Sequence, residues 1–227
     1  MERIPTGIPG LDKLIQGGFI PGSVIMITGS TGTGKTIFGC QFLWAGLQKG
    51  EPGIYLTLEE PPEDIKQDAQ QFGWDFSKYE KKGIFKLVYM DPVRLGSATV
   101  DIANLVRRFK AKRLVIDSIS LIGLAIKDPS LIRRRIYNLI SALKKTGCTT
   151  LLISEIPEGS DALSKYGVEE YVVDGVIVMK YWEIASENFG SIEIRKMRKT
   201  AHLKGHYPTF LGKSGLKVGS EALTPLK

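Results

Sequence analysis

A chain of 227 residues, 43% hydrophobic and 24% charged, can bury a substantial core within one domain. No apolar run approaches the ~20 residues that a membrane-spanning helix requires, and the formal net charge of +7 permits an acidic partner without specifying one. The opening MERIPTGIPG lacks the basic-then-apolar order of a secretory leader, and Cys40 and Cys148 lie in apolar contexts without metal-ligand spacing, so the chain reads as a cytoplasmic protein with buried free thiols.

In chain order, SVIMIT at 23–28 predicts a buried strand, TGSTGTGKT at 28–36 a glycine loop, and the helical spacing of apolar residues that runs on to Gly50 a helix. GIYLTL at 53–58 predicts a second buried strand, followed by a helix whose prolines suit its first turn and whose Gly73 suits its end. IFKLVYM at 84–90 reads as strand, 99–109 as amphipathic helix and RLVID at 113–117 as strand. The strongest helix signal is 128–147, with Asp-Pro at its start, Lys-Lys and Gly at its end, and a stripe of Leu131, Ile132, Ile136, Leu139, Ile140 and Leu143. Its Arg133, Arg134 and Arg135 spread over roughly 200° of helix, which suits a solvated face or a subunit contact better than a nucleic-acid patch. After the strand at 148–154 the alternation stops, and 175–181, 191–197 and 208–211 read as antiparallel strands. The chain is therefore expected to be one α/β domain over 1–227, a mainly parallel sheet with helices on both faces and an antiparallel C-terminal extension.

Gly29, Gly34, Lys35 and Thr36 satisfy G-x-x-x-x-G-K-[ST] between a buried strand and a helix. A phosphate chain needs inward backbone N–H groups, and the backbone of Gly29, Ser30, Thr31, Gly32, Thr33 and Gly34 can supply them because glycine tolerates the required conformations. Lys35 can reach the β- and γ-phosphates, and the Thr36 hydroxyl can ligate Mg²⁺. Asp117, at the carboxyl end of an apolar strand, is the second candidate on the metal side. Glu59 and Glu60 follow a strand at the same edge; they suit either positioning of an attacking water or charge at a helix N-terminus. Ser154 and Glu155 end the next strand and suit either γ-phosphate sensing or a strand cap.

Taken together, these motifs resemble those of the RecA superfamily and, within it, the KaiC-like ATPases of bacteria and archaea. IPTGIPGLDKLIQGGFIPGSVIMITGSTGTGKT, LTLEE, RLVIDS, YGVEEYVVDGVIVM and IRKMRKTAHLKGHYP are similar to the family's signatures and cover nearly the whole chain. The resemblance implies a RecA-like fold and a Mg²⁺-dependent ATPase, with Glu59 acting on water, Glu60 supporting it and Asp117 holding Mg²⁺ through water. It also implies a ring of six, in which Lys196 and Arg198 reach the γ-phosphate of the neighbouring subunit's ATP while His202 and Lys204 approach its nucleoside. A regulatory protein partner would read the ATP state. Lys199 stands where the family commonly has glycine. The well-known KaiC proteins carry two such domains and autophosphorylate a Ser-Thr pair, where this chain has Glu169, Glu170 and Tyr171, so a clock-type phosphorylation cycle is not expected. Two alternatives remain open at this stage, a DNA-binding recombinase-like paralogue and a nucleotide sensor without turnover. Against DNA, the loop region 154–175 offers Lys165 and Tyr166 among Glu155, Glu158, Asp161, Glu169, Glu170 and Asp174.

Overall fold

A computed structural model of the chain describes residues 2–95, 97–124, 126–184 and 187–223. In chain order the elements are α1 (Leu11–Leu14), β1 (Val24–Gly29), α2 (Lys35–Leu47), β2 (Gly53–Thr57), α3 (Pro62–Gln71), α4 (Phe76–Lys81), β3 (Phe85–Tyr89), α5 (Pro92–Leu95), α6 (Thr99–Phe109) and β4 (Arg113–Asp117). A 3-10 turn (Ile119–Leu124), α7 (Pro129–Lys144), β5 (Thr149–Glu155), α8 (Glu169–Val172), β6 (Gly175–Ile184), β7 (Glu187–Met197), β8 (His206–Gly212) and β9 (Gly215–Val218) complete it.

The strands form one sheet in the order β3-β2-β4-β5-β1-β6-β7-β8-β9. From β3 to β6 the neighbours are parallel, and from β6 to β9 they are antiparallel. Continuous apolar runs build the parallel part because both faces are covered. In β1, Val24 and Met26 enter one core while Ile25 and Ile27 enter the other, and in β4 Leu114 and Ile116 face away from Val115 in the same manner. Helix α7 buries Ile132, Ile136, Leu139, Ile140 and Leu143; Leu131 is only half-buried, and Arg133 and Arg134 are exposed. Its start is fixed by Asp128, whose side chain accepts a bond from the Ser130 amide at 2.8 Å.

Besides the short helices α1, α4, α5 and α8, two features depart from the sequence expectation. Strand β9 was not expected, because only Leu216 and Val218 are apolar in 213–218. Tertiary bonds hold it: the buried Gln41 amide of α2 donates to the Leu216 and Gly7 carbonyls at 3.0 and 2.9 Å and accepts from the Leu216 amide at 2.7 Å. The tail strands are also longer than expected, since β6 and β7 pair from Gly175↔Met197 to Ile184↔Glu187, with one register shift between Val176 and Ile177.

Lys199, in the turn after β7, has φ +56°. A non-glycine residue in the left-handed region costs on the order of 1–2 kcal/mol, part of which glycine returns through its freer unfolded chain. Lys199→Gly is therefore expected to stabilise the protein by about 0.5–1 kcal/mol in chemical denaturation.

Candidate nucleotide site

The loop leaving β1 needs glycine at Gly29 and Gly34 for different reasons. A Cβ on Gly29 would lie 2.2 Å from the Met179 carbonyl oxygen of β6, and Gly34, just before α2, has φ +90°. Thr33 Oγ1 and Lys35 Nζ both donate to the Ser30 carbonyl, at 2.9 and 2.8 Å, so the lysine closes over its own loop. Burial lowers the Lys35 pKa, opposed by Glu155, Asp117 and Glu59. Tyr181 of β6 donates to the Gly32 carbonyl at 2.7 Å.

Thr36, at the start of α2, donates to Asp117 Oδ2 at 2.8 Å, and the fully buried Tyr55 of β2 donates to the same oxygen at 2.6 Å. Burial raises the Asp117 pKa against the pull of these two hydroxyls and of Lys35. Ser118, joined to Asp117 by a cis peptide, donates to Glu59 Oε1 at 3.2 Å. The Glu59 pKa is raised by burial first and then by Glu155 and Asp117. Glu60 is set by a tight turn in which its amide donates to Thr57 Oγ1 at 3.2 Å and its carbonyl accepts from the same hydroxyl at 2.8 Å; burial, then Asp117, raises its pKa as well. A cavity of about 320 Å³ is lined by Thr31, Gly32, Gly34, Lys35, Thr36, Glu59, Glu60, Asp68, Asp117 and Glu155.

Ser154 lies below this cavity rather than on its wall. It is fully buried with Oγ 3.5 Å from Ser120 Oγ, and Ser120 Oγ also accepts from the Glu155 amide at 2.8 Å. Tyr166 donates to the Ser120 carbonyl and accepts from the Gly123 amide at 2.9 Å.

Among the described residues no group of three or more His, Cys, Asp or Glu side chains could hold a metal ion. Mg²⁺ needs no such cage: it keeps several waters and takes one or two protein oxygens beside phosphate. The Thr36 hydroxyl and the Asp117 carboxylate are hard oxygen donors converging at the loop, and they fit that requirement. Without Mg²⁺, a buried carboxylate of raised pKa gives stability that is present below the ordinary carboxylate range and lost as pH rises through its elevated pKa. Asp117→Asn keeps an acceptor for both hydroxyls and removes that loss. Thermal melts without metal should show it at least as stable as the unaltered chain at neutral pH, with the difference closing in acid, while the stabilisation by Mg²⁺ and ATP disappears.

Lys196 and Arg198 do not reach this cavity in their own chain. Gly29 pairs with Met179 at the carboxyl edge of the sheet, whereas Ile25 pairs with Gly175, which pairs with Met197. Four strand residues, ~13 Å, separate the two levels. Lys196 Nζ donates to the Glu170 carbonyl at 2.8 Å, and Arg198 donates to the Tyr171 carbonyl at 3.3 Å and lies 3.6 Å from Asp174 Oδ1. Partial burial, then Arg198, lowers the Lys196 pKa. Strand β7 pairs with β8 over Gly190–Glu193 only, so Lys196 and Arg198 lie beyond that pairing. His202 and Lys204 lie in the β7–β8 connection, anchored where the Leu203 amide donates to the Leu14 carbonyl at 2.9 Å.

Sequence reasoning missed Tyr55, Asp68, Ser118, Ser120 and Tyr181. A tyrosine inside the apolar strand β2 was the legible signal, since a buried Tyr hydroxyl usually finds a partner. The others depend on how separate elements meet.

A family model described as "ATPase: KaiC" matches residues 4–222. A UPF0273 protein of Methanopyrus kandleri is 36% identical over 97% of this chain and 93% of its own length. The circadian clock protein KaiC3 of Synechocystis is 36% identical over 96% of this chain, which spans 46% of that protein. Among solved structures, the KaiC-like protein of the hyperthermophilic archaeon Pyrococcus horikoshii OT3 has a TM-score of 0.87 at 42% identity, covering 96% of this chain and 98% of that one.

Proposed function

The chain belongs to the KaiC family of ATPases, with a RecA-like fold, and on that premise we propose that it is a Mg²⁺-dependent ATP hydrolase acting as a homo-oligomeric ring of six, with each nucleotide held between two subunits. The observation that carries this reading is the opposite charge of the two sheet edges. Glu59, Glu60, Asp68, Asp117 and Glu155 crowd Lys35 at the carboxyl edge, whereas Lys144, Lys196, Arg198 and Lys199 gather around Asp174 at the other. Complementary, non-identical faces on one chain favour head-to-tail contact, which closes into a ring when the rotation allows.

In this reading the loop amides and Lys35 hold the phosphates, and Thr36 and Asp117 hold Mg²⁺, which neutralises phosphate charge. Glu59, steadied by Ser118, orients and deprotonates the attacking water, and Glu60 fixes the turn that presents it. The neighbour's Lys196 and Arg198 meet charge developing on the γ-phosphate, and its His202 and Lys204 flank the nucleoside. Residues 1–227 act as one ATPase domain in the cytoplasm and pass their nucleotide state to a regulatory protein. Autophosphorylation is no part of the cycle, since Glu169, Glu170 and Tyr171 occupy the stretch.

Particle mass by light scattering, with and without ATP and Mg²⁺, tests the assembly. A nucleotide-dependent shift to about six subunits is expected; a monomer under both conditions would sink the ring.

A further inference from the structure

Along a strand successive side chains alternate between faces, so the residues after Met197 would point apart if β7 continued. It does not continue. With Lys199 at φ +56°, the chain turns, and Arg198 and Lys199 line the same cavity of about 290 Å³ together with Ser23, Asp174 and Met197, beside the amino end of β1.

The three cations Lys196, Arg198 and Lys199 differ in how they are held. Arg198 is steadied by Asp174 and the Tyr171 carbonyl, and Lys196 by the Glu170 carbonyl. Lys199 is exposed and has no side-chain hydrogen bond or ion pair among the described residues. The turn itself is braced from elsewhere, by Thr200 Oγ1 donating to the Arg198 carbonyl at 3.3 Å and by Arg3 donating to Thr200 Oγ1 at 2.8 Å. Among the described residues Gln16 and Lys110 also have positive φ, but of the three only Lys199 stands beside Arg198 on the basic edge, and its ammonium has no partner in its own fold.

We infer that Lys199 is a third cation delivered across the subunit boundary, where its ammonium contacts the phosphate chain of the neighbour's ATP. The inference rests on the reading that Lys196 and Arg198 act in trans. Its chemistry differs from theirs. A flexible ammonium is a point charge that suits an existing polyphosphate, whereas a planar guanidinium suits the charge developing in transfer. Lys199 accordingly binds ground state and transition state alike, which is felt in KM more than in kcat.

The test uses Lys199→Asn, which tolerates the left-handed backbone but removes the charge, and Lys199→Arg, which restores it. Lys199→Asn is expected to raise KM for ATP about tenfold with little change in kcat or particle mass, and Lys199→Arg to stay within about twofold of the unaltered protein. Mixed with Lys35→Ala subunits, which lack a working loop but carry an intact Lys199, the Asn protein should recover sites of normal KM. An unchanged KM in Lys199→Asn, equal damage in Lys199→Arg, no recovery on mixing, or loss of assembly would each overturn the inference. An unchanged rate in Arg198→Ala would instead remove the trans reading beneath it.

Discussion

Glu59→Gln is expected to lower phosphate release by about 10²–10⁴-fold while leaving ATP bound, the range lost when a positioned general base is removed. The expectation follows from position and environment together. Glu59 leaves β2 one strand away from Asp117, lines the cavity over Lys35 and Thr36, and takes a bond from Ser118 at 3.2 Å. Burial and the neighbouring Glu155 and Asp117 raise its pKa, so its carboxylate holds a proton more readily than an ordinary glutamate does. Glutamine keeps the size and an acceptor for the Ser118 hydroxyl, so loss of rate without loss of binding would isolate proton transfer. Glu60 offers an internal contrast. Its backbone is already bonded twice to Thr57, so Glu60→Gln should cost far less. Single-turnover phosphate release separates the two variants; equal rates in Glu59→Gln and the unaltered chain would move the base elsewhere.

The parts of this site legible in the sequence are those written as local pattern. The loop at 29–36 lies between an apolar strand and a helix, and Asp117 terminates Leu114-Val115-Ile116, so both carry their chemistry within a few residues. Parallel β-structure makes that pattern reliable, because buried strands read as continuous apolar runs whose ends converge on one edge. What escaped depended on contacts between distant segments. Strand β9 exists because Gln41 bonds it, and the fully buried Arg113, which bonds Glu51 at 2.6 Å and the Phe42 carbonyl at 2.8 Å, opens β4 where its charge suggests solvent. Ser154 shows the converse. Its place at the strand end was readable, yet a two-residue period decides which of Ser154 and Glu155 faces the cavity, and the serine turned inward. Lys199 was readable only as an unexpected residue; its positive φ gives that oddity a physical meaning.

Arg198→Ala should lower hydrolysis by about 10³–10⁵-fold, the range for losing an arginine that meets phosphoryl charge from a neighbouring subunit. The size of that loss alone would not locate the residue, because an arginine bonded to Tyr171 and Asp174 could act through its own chain. Mixing two dead proteins does locate it. Glu59→Gln subunits keep a working Arg198, and Arg198→Ala subunits keep a working Glu59, so an interface of the right order joins two intact halves. Roughly one interface in four should be competent in an equimolar random mixture, and activity should rise well above either parent after a cycle of dissociation and reassembly. Dilution gives an independent readout, since a site shared between subunits loses specific activity once the assembly dissociates. The sheet geometry makes the alternative sharp: with ~13 Å of strand between Arg198 and its own loop, a mixture that stays inactive and a specific activity indifferent to dilution would mean that the basic edge serves something other than ATP.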